Sequence, residues 1–222
     1  GRDFGDKVLC IVADEAKKIV HKQGGIIGRD SADEFNIYCP HRDDYKEILD
    51  SVTRALDADS ETKGRVRLRM GVYPNVDKTM NFNHRFTLAK KAADTVKNNY
   101  NNNIGIYDEV LRKKEVYQER LVDDFNRAIE EKEFVVYYQP KYYVQGDKPV
   151  LNSAEALVRW NHKELGMVSP GEFIPLFEKD GLIQKLDEYV WHETAKQIRK
   201  WKDELNVVVP ISVNVSRIDM YD

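Results

Sequence analysis

Hydrophobic and polar positions along this chain follow two different periods, and the change between them divides it. In the first half the helical period dominates. Across residues 7–22, Val8, Leu9, Ile11, Val12, Ala16, Ile19 and Val20 form a stripe on one side of a helix, which Gly24-Gly25 ends. IIG (26–28) and FNIY (35–38) flank RDSAD, which predicts a hairpin. Residues 43–56 form a second amphipathic helix, with Tyr45, Ile48, Leu49, Val52 and Leu56 inward. VRLRMGVY (66–73) alternates as a half-buried strand, 86–97 read as a third helix, and 104–107 as a short last strand. The order helix, hairpin, helix, strand, helix, strand fits an α+β sheet covered by helices. Residues 108–132 lack Pro and Gly and keep a helical period, which predicts a helical joint, broken near 115–118 if anywhere. A stiff joint would carry a change from one half to the other; the plainer reading is a solvated connecting helix.

In the second half a period of two takes over. NSAEALVRW (152–160) places Glu155, Leu157 and Arg159 on one strand face and Ala154, Ala156, Val158 and Trp160 on the other. An acid and a base on one face make poor core material, because buried charge is costly unless paired or bound to something. FVVYYQP (134–140) upstream carries Gln139, and VVVPISVNVS (207–216) downstream carries Asn214. Three predicted strands each bringing polar groups suggest the C-terminal rim of a parallel barrel, where catalytic groups collect. Between them, NHKELG is a turn, and Ser169-Pro170-Gly171-Glu172 is a capping box opening a short helix over 170–180 that Gly181 stops. Residues 183–205 form a long helix, with Ile183, Leu186, Val190, Ile198, Trp201 and Leu205 on its buried side.

Composition narrows the class. The 222 residues are 41% hydrophobic and 33% charged, which describes a soluble globular chain with room for one large or two modest domains. A net charge of −3 gives no bulk attraction to nucleic acid or acidic membranes. The two cysteines, Cys10 and Cys39, suggest neither a metal cluster nor a disulfide scaffold, so a reducing cytoplasm is the expected location. No run is long enough to cross a bilayer, though a longer parent tethered to a membrane stays open.

Four of these motifs, in order, carry a resemblance. YYQPK, EALVRW, GMVSPGEFIPLFEKDGLI and SVNVS resemble the opening third of an EAL domain, the phosphodiesterase that hydrolyses cyclic di-GMP. The first half resembles a GGDEF domain, the diguanylate cyclase fold, through GRDFGDKVL, GRDSADEF, MGVYP and AKKAADTVK before YD, without that family's first strand and helix. The resemblance implies a GGDEF α+β domain over 1–112, a connecting helix over 113–132, and over 133–222 the N-terminal part of a (β/α)8 TIM-barrel-type EAL domain. A whole barrel takes about 250 residues. A third of one would expose strand edges and half a core, so the segment alone is expected to be neither stable nor active, and either the parent is longer or a partner chain holds the fragment.

The resemblance also assigns roles. Glu155 and Asn214 become ligands of Mg²⁺ or Mn²⁺, while Gln139, Leu157 and Arg159 contact cyclic di-GMP. Hydrolysis to linear pGpG needs water attack on phosphorus in line with the leaving 3′ oxygen, and oxygen-bound hard cations favour it. Arg suits phosphate by charge and shape. The family's other acidic ligands and lysine would lie past Asp222. In the first half Asp33 corresponds to a metal ligand, Glu34 to the neighbouring acid, Asp6 to the guanine-reading carboxylate and Lys97 to a phosphate contact. The signature is altered: Ser31-Ala32 replaces a glycine pair that lets the backbone approach phosphate, because each Cβ restricts φ and distance. Asn101 replaces an arginine, and Lys22 and Gly25 stand at the inhibitory RxxD positions. Cyclisation is therefore not expected, and this domain is expected to be regulatory, sensing GTP in a homodimer.

Each residue has a plainer reading. Glu155 and Arg159 would serve as a structural ion pair, Gln139 as a strand-end cap and Asn214 as a turn residue. Asp33-Glu34 suits a solvated hairpin tip, Asp6 a helix first turn and Lys97 a surface position. His162 and His192 read as surface or satisfied histidines, and Trp191 and Trp201 as packing. A receptor that binds cyclic di-GMP without cleaving it, or an inert scaffold, competes with the enzyme.

Overall fold

A computed structural model describes residues 2–99 and 101–217. It separates into two compact units, Gly1–Lys113 and Lys114–Asp222.

In the first unit, helix α1 (Arg2–Lys22) begins five residues earlier than the apolar stripe predicts, and in this added stretch the Arg65 guanidinium lies over the Phe4 ring, 4.5 Å from its centre. The hairpin forms as predicted from β1 (Ile26–Ser31) and β2 (Glu34–Tyr38), antiparallel, with a register shift between Arg29 and Ser31. α2 (Lys46–Ala58) lays Val52 and Leu56 against Ala16 of α1, flanked by Val8, Ile11, Val12 and Ile27. Of the strand predicted over 66–73, only β3 (Met70–Val72) is paired, in parallel with β4 (Ile104–Ile106). The alternation still shows: Val66, Leu68 and Met70 are half-buried, and Arg67 and Arg69 are exposed. α3 (Phe82–Thr95) is capped by Asn81, whose side chain accepts from the Asn83 amide at 2.9 Å.

α3 presses unusually close to β3 and β4, and two glycines allow it. A Cβ on Gly71 would lie 1.7 Å from the Ala89 carbonyl oxygen, and one on Gly105 would lie 1.9 Å from that of Ala92. Small Ala89, Ala92 and Ala93 face the glycines, so backbone meets backbone across this layer.

The second unit begins within α4 (Glu109–Glu130), an unbroken helix without the interruption allowed for near 115–118. Strands β5 (Phe134–Tyr143) and β6 (Val150–His162) follow, then β7 (Gly166–Val168), α5 (Pro170–Asp180), α6 (Ile183–Leu205) and β8 (Ile211–Ser212). The sheet is mixed. β5 and β7 run antiparallel to β6, and β8 runs parallel to it. This corrects the expectation of a parallel rim, because the connection across 144–149 is far too short for a parallel crossover. The capping box of α5 forms, with the Ser169 amide donating to Glu172 at 3.2 Å, and Gly181 closes the helix at φ 73°. Leu205 is exposed rather than buried, since α6 ends there in a left-handed Asn206 cap.

The core of this unit is aromatic. Phe125, Phe134, Trp160, Phe173 and Phe177 are each at most 1% exposed. Phe134 and Trp160 sit 4.8 Å apart between ring centres, and Phe125 and Phe177 4.9 Å apart, edge to face. The Trp160 indole donates to buried Glu133 at 3.0 Å, and Arg127 pairs with the other Glu133 oxygen. His162 is buried, which corrects one of its two expected placements, and it is satisfied. Its Nδ1 accepts from the Glu164 and Leu165 amides at 3.2 and 3.1 Å, which leaves the proton on Nε2, 2.9 Å from Asp124. Trp201 packs edge-on against Tyr138 at 5.1 Å.

Two predictions follow from this packing. Gly71→Ala forces α3 off the β3–β4 sheet, at a cost of about 3 kcal/mol, seen as a lower urea midpoint by far-UV circular dichroism. Burial raises the Glu133 pKa, but the Trp160 and Arg127 bonds outweigh it and hold it below the usual carboxylate range. A depressed carboxylate contributes stability above its unfolded value, about 4.3, and loses it as pH falls through the folded one. In Glu133→Gln, tryptophan emission in urea melts should show lower stability at pH 7 and a weaker loss below about pH 4.

Candidate functional site

The alternation of β6 positions the polar residues of the second unit. Ala154, Ala156 and Trp160 are buried against the helices, while Glu155, Leu157 and Arg159 point to the opposite face and are half-buried. Cross-strand register places Gln139 of β5 directly beside Glu155 on one edge and Ser212 of β8 beside it on the other. Leu157 pairs with Tyr137, and the Arg159 guanidinium sits 5.7 Å from the Tyr137 ring centre while donating to the Val158 carbonyl at 2.8 Å. The face therefore brings Gln139, Glu155, Leu157 and Arg159 together. Because β5 is antiparallel, Gln139 lies mid-strand and does not cap a strand end.

Glu155 does not bond Arg159. Its Oε2 lies 2.9 Å from the Lys141 ammonium, a residue that the motif reading passed over. The signal was present in principle: Lys141 follows Gln139 by two positions and so shares its face. Asn214 lies two residues past Ser212, is exposed, and its backbone carbonyl accepts from the Trp191 indole at 3.2 Å. The Ser216 amide donates to Asp187 at 3.0 Å, so α6 anchors this stretch.

Among the described residues, no group of three or more His, Cys, Asp and Glu side chains is placed to hold a metal ion. Glu155 on β6 and Asn214, two residues past the end of β8, carry oxygen donors of the kind a hard divalent cation takes, six or more in all. In kind the two side chains would fit such a cation.

The altered hairpin of the first unit is arranged differently. Asp33 is exposed at the tip. Glu34 is held by the Lys90 ammonium of α3 at 2.8 Å, with the Ser31 hydroxyl at 3.3 Å. Asp6 is exposed on α1 and lines a cleft of about 410 Å³ with Leu9, Cys10, Lys17, Arg29 and Phe35. Asp33, Glu34 and Lys97 do not line it, and Lys97 is exposed in the turn after α3. These four residues therefore do not converge on one cleft. No described helix is long and apolar enough to cross a membrane.

With this geometry in hand, known families and proteins can be set beside it. The family model described as diguanylate cyclase, GGDEF domain, matches residues 1–103, and the EAL domain model matches 122–222. The bifunctional diguanylate cyclase/cyclic di-GMP phosphodiesterase MucR of Pseudomonas aeruginosa is 28% identical over 226 residues, covering 98% of this chain and 32% of its own length. The cyclic di-GMP phosphodiesterase PdeR of Escherichia coli is 34% identical over 99 residues, 45% of this chain and 14% of its own. A solved structure titled PaMucR phosphodiesterase, c-di-GMP complex, is 39% identical over 44% of this chain and 38% of that one, with a TM-score of 0.39. The chain spans about a third of the length of the first relatives it matches.

The Lys90–Glu34 pair carries a prediction. The Lys90 bond is the main cause that holds the Glu34 carboxyl below its usual range. In Lys90→Met the Glu34 titration midpoint should rise toward the ordinary glutamate value of about 4.3, followed by carboxyl ¹³C shifts. An unchanged midpoint would show that Lys90 does not hold Glu34 in solution.

Proposed function

Because the chain belongs to the GGDEF–EAL tandem proteins, which act in cyclic di-GMP signalling, we propose that it is part of a cyclic di-GMP phosphodiesterase whose GGDEF domain is degenerate and regulatory. The reading rests above all on one observation: Gln139, Glu155, Leu157 and Arg159 share a single half-exposed strand face, with the acid between two flanking strands. That face is open to a ligand, and its opposite side is sealed by aromatic rings.

On this reading residues 133–222 are the first part of a (β/α)8-type barrel in which β5 runs antiparallel to β6 and β8, after a GGDEF domain over 1–112 and a connecting helix. Arg159 binds a phosphate of the dinucleotide, charge to charge. Gln139 donates or accepts at its polar edge, and Leu157 gives an apolar floor between them. Glu155 and Asn214 would hold Mg²⁺ or Mn²⁺, which when bound lowers the pKa of water and neutralises charge developing on the phosphoryl group. Water attacks phosphorus, the 3′ oxygen leaves with a proton, and linear pGpG results. Rigid strands rather than loops fix Glu155 and Arg159, so little ordering remains to be done when substrate binds.

In the first unit, Ser31 and Ala32 put side chains where phosphate would approach, and Lys90 occupies Glu34. Both favour a domain that does not cyclise GTP. GTP binding in the Asp6 cleft, a homodimer and a cytoplasmic site of action complete the proposal. A receptor that holds cyclic di-GMP without cleaving it is the competing reading.

The deciding experiment incubates the protein at its natural full length with cyclic di-GMP and Mg²⁺ or Mn²⁺ and follows pGpG by chromatography. Product should appear, and Glu155→Ala should lower its rate by about 10²–10³-fold, the scale of losing a principal electrostatic group. Tight binding without product would favour the receptor. Neither binding nor product would leave a scaffold.

A further inference from the structure

One side chain outside the motif assignments touches the centre of the site. Lys141 faces Ser153 across the β5–β6 ladder and is a diagonal neighbour of Glu155 on the same face. Its ammonium lies 2.9 Å from Glu155 Oε2 and donates to the Ser212 hydroxyl at 3.2 Å. That hydroxyl donates in turn to the Ala154 carbonyl at 3.3 Å. A single ammonium thus joins β5, β6 and β8 at the level of the acid. The register shift follows at once, between Lys141 and Tyr142. Beyond it the arm is exposed at Tyr142, Tyr143, Val150 and Leu151, so Lys141 is the last residue of β5 placed to reach Glu155.

The geometry sets up a competition. A carboxylate oxygen that accepts from an ammonium presents the same lone pairs that a hard cation needs. Two cations do not share one oxygen at contact distance without strong repulsion. The lysine side chain is 48% exposed and the glutamate 31%, so water can take over the ammonium when it leaves. Ser212 remains beside it as a second acceptor, and the flexible lysine stem permits the move.

We propose that Lys141 is a positioning residue, the resident counter-cation of Glu155. It holds the carboxylate against the sheet before a divalent cation arrives, and it competes with that cation for Oε2. The proposal rests on the reading of Glu155 as a metal ligand.

Mn²⁺ binding by the full-length protein, without substrate, tests both points separately. The electron paramagnetic resonance signal of free Mn²⁺ is titrated in wild type, Lys141→Met, Lys141→Arg, Glu155→Ala and Lys163→Met. Lys141→Met should bind Mn²⁺ about two- to fivefold more tightly, the worth of one part-exposed ion pair. Lys141→Arg keeps the charge and should stay near wild type. Lys163→Met removes a charge paired instead with Glu131 and should also stay near wild type. Glu155→Ala should abolish the site. If Glu155→Ala binds Mn²⁺ as wild type does, Glu155 is not a ligand, and both the site reading and this proposal fall. If Glu155→Ala loses binding while Lys141→Met is unchanged or weaker, the site reading stands and Lys141 is not a competitor. Equal tightening in Lys163→Met would reduce the effect to bulk charge and overturn the proposal.

Discussion

The two-residue alternation of β6 is the constraint on which the second unit depends. One face must be dry enough for Trp160 to lie among Phe125, Phe134, Phe173 and Phe177. The other must keep Glu155 and Arg159 in reach of water. Slipping the register by one position would bury both charges and expose the indole, which is costly enough to fix the pairing. The Trp160–Glu133–Arg127 chain reinforces this at the end of the strand, since the indole N–H finds its acceptor only when Trp160 faces inward. Core and candidate site are therefore not separate achievements of the sequence. They are the two sides of one strand.

The first unit reaches its order by a different route. Its layers are held by close backbone approach at Gly71 and Gly105 and by ion pairs between elements, such as Lys90 with Glu34. Lys7 links α1 to Asp59 in the same way, at 2.7 Å. These are exposed, screened contacts, individually weak. They orient parts that apolar packing already holds. For the hairpin, this means that Glu34 is engaged by the chain itself.

Local features were legible in the sequence because their causes are local. The capping box at Ser169, the Gly181 stop and the full span of α6 all follow from neighbours within a few residues. The faces of β6 followed from its period, and the hairpin from its turn. What stayed hidden depends on partners far away in the chain. Glu34 meets Lys90 from 56 positions away, and no spacing rule connects them. Lys141 gains its place only from the register that sets it diagonal to Glu155. The direction of β5 was readable, since a loop over 144–149 cannot carry a parallel crossover, but the polar strand residues pointed attention to a rim instead. The strand over 66–73 shows a further limit: alternation reports which side is buried, not whether another strand is there to pair.

The connectivity of the mixed sheet also sets an order of assembly. β5 and β6 are joined by a short loop, so Gln139 and Lys141 reach Glu155 by a nearby closure with little loss of chain freedom. β8 reaches the same residue only after α5 and α6 have been placed, with Ser212 closing on Ala154 across 58 positions. Loop-closure entropy makes such a contact costlier in chain freedom than the hairpin pairing. The positive neighbour of Glu155 is thus local to its own hairpin, while the strand beside it on the other edge depends on everything folded between them.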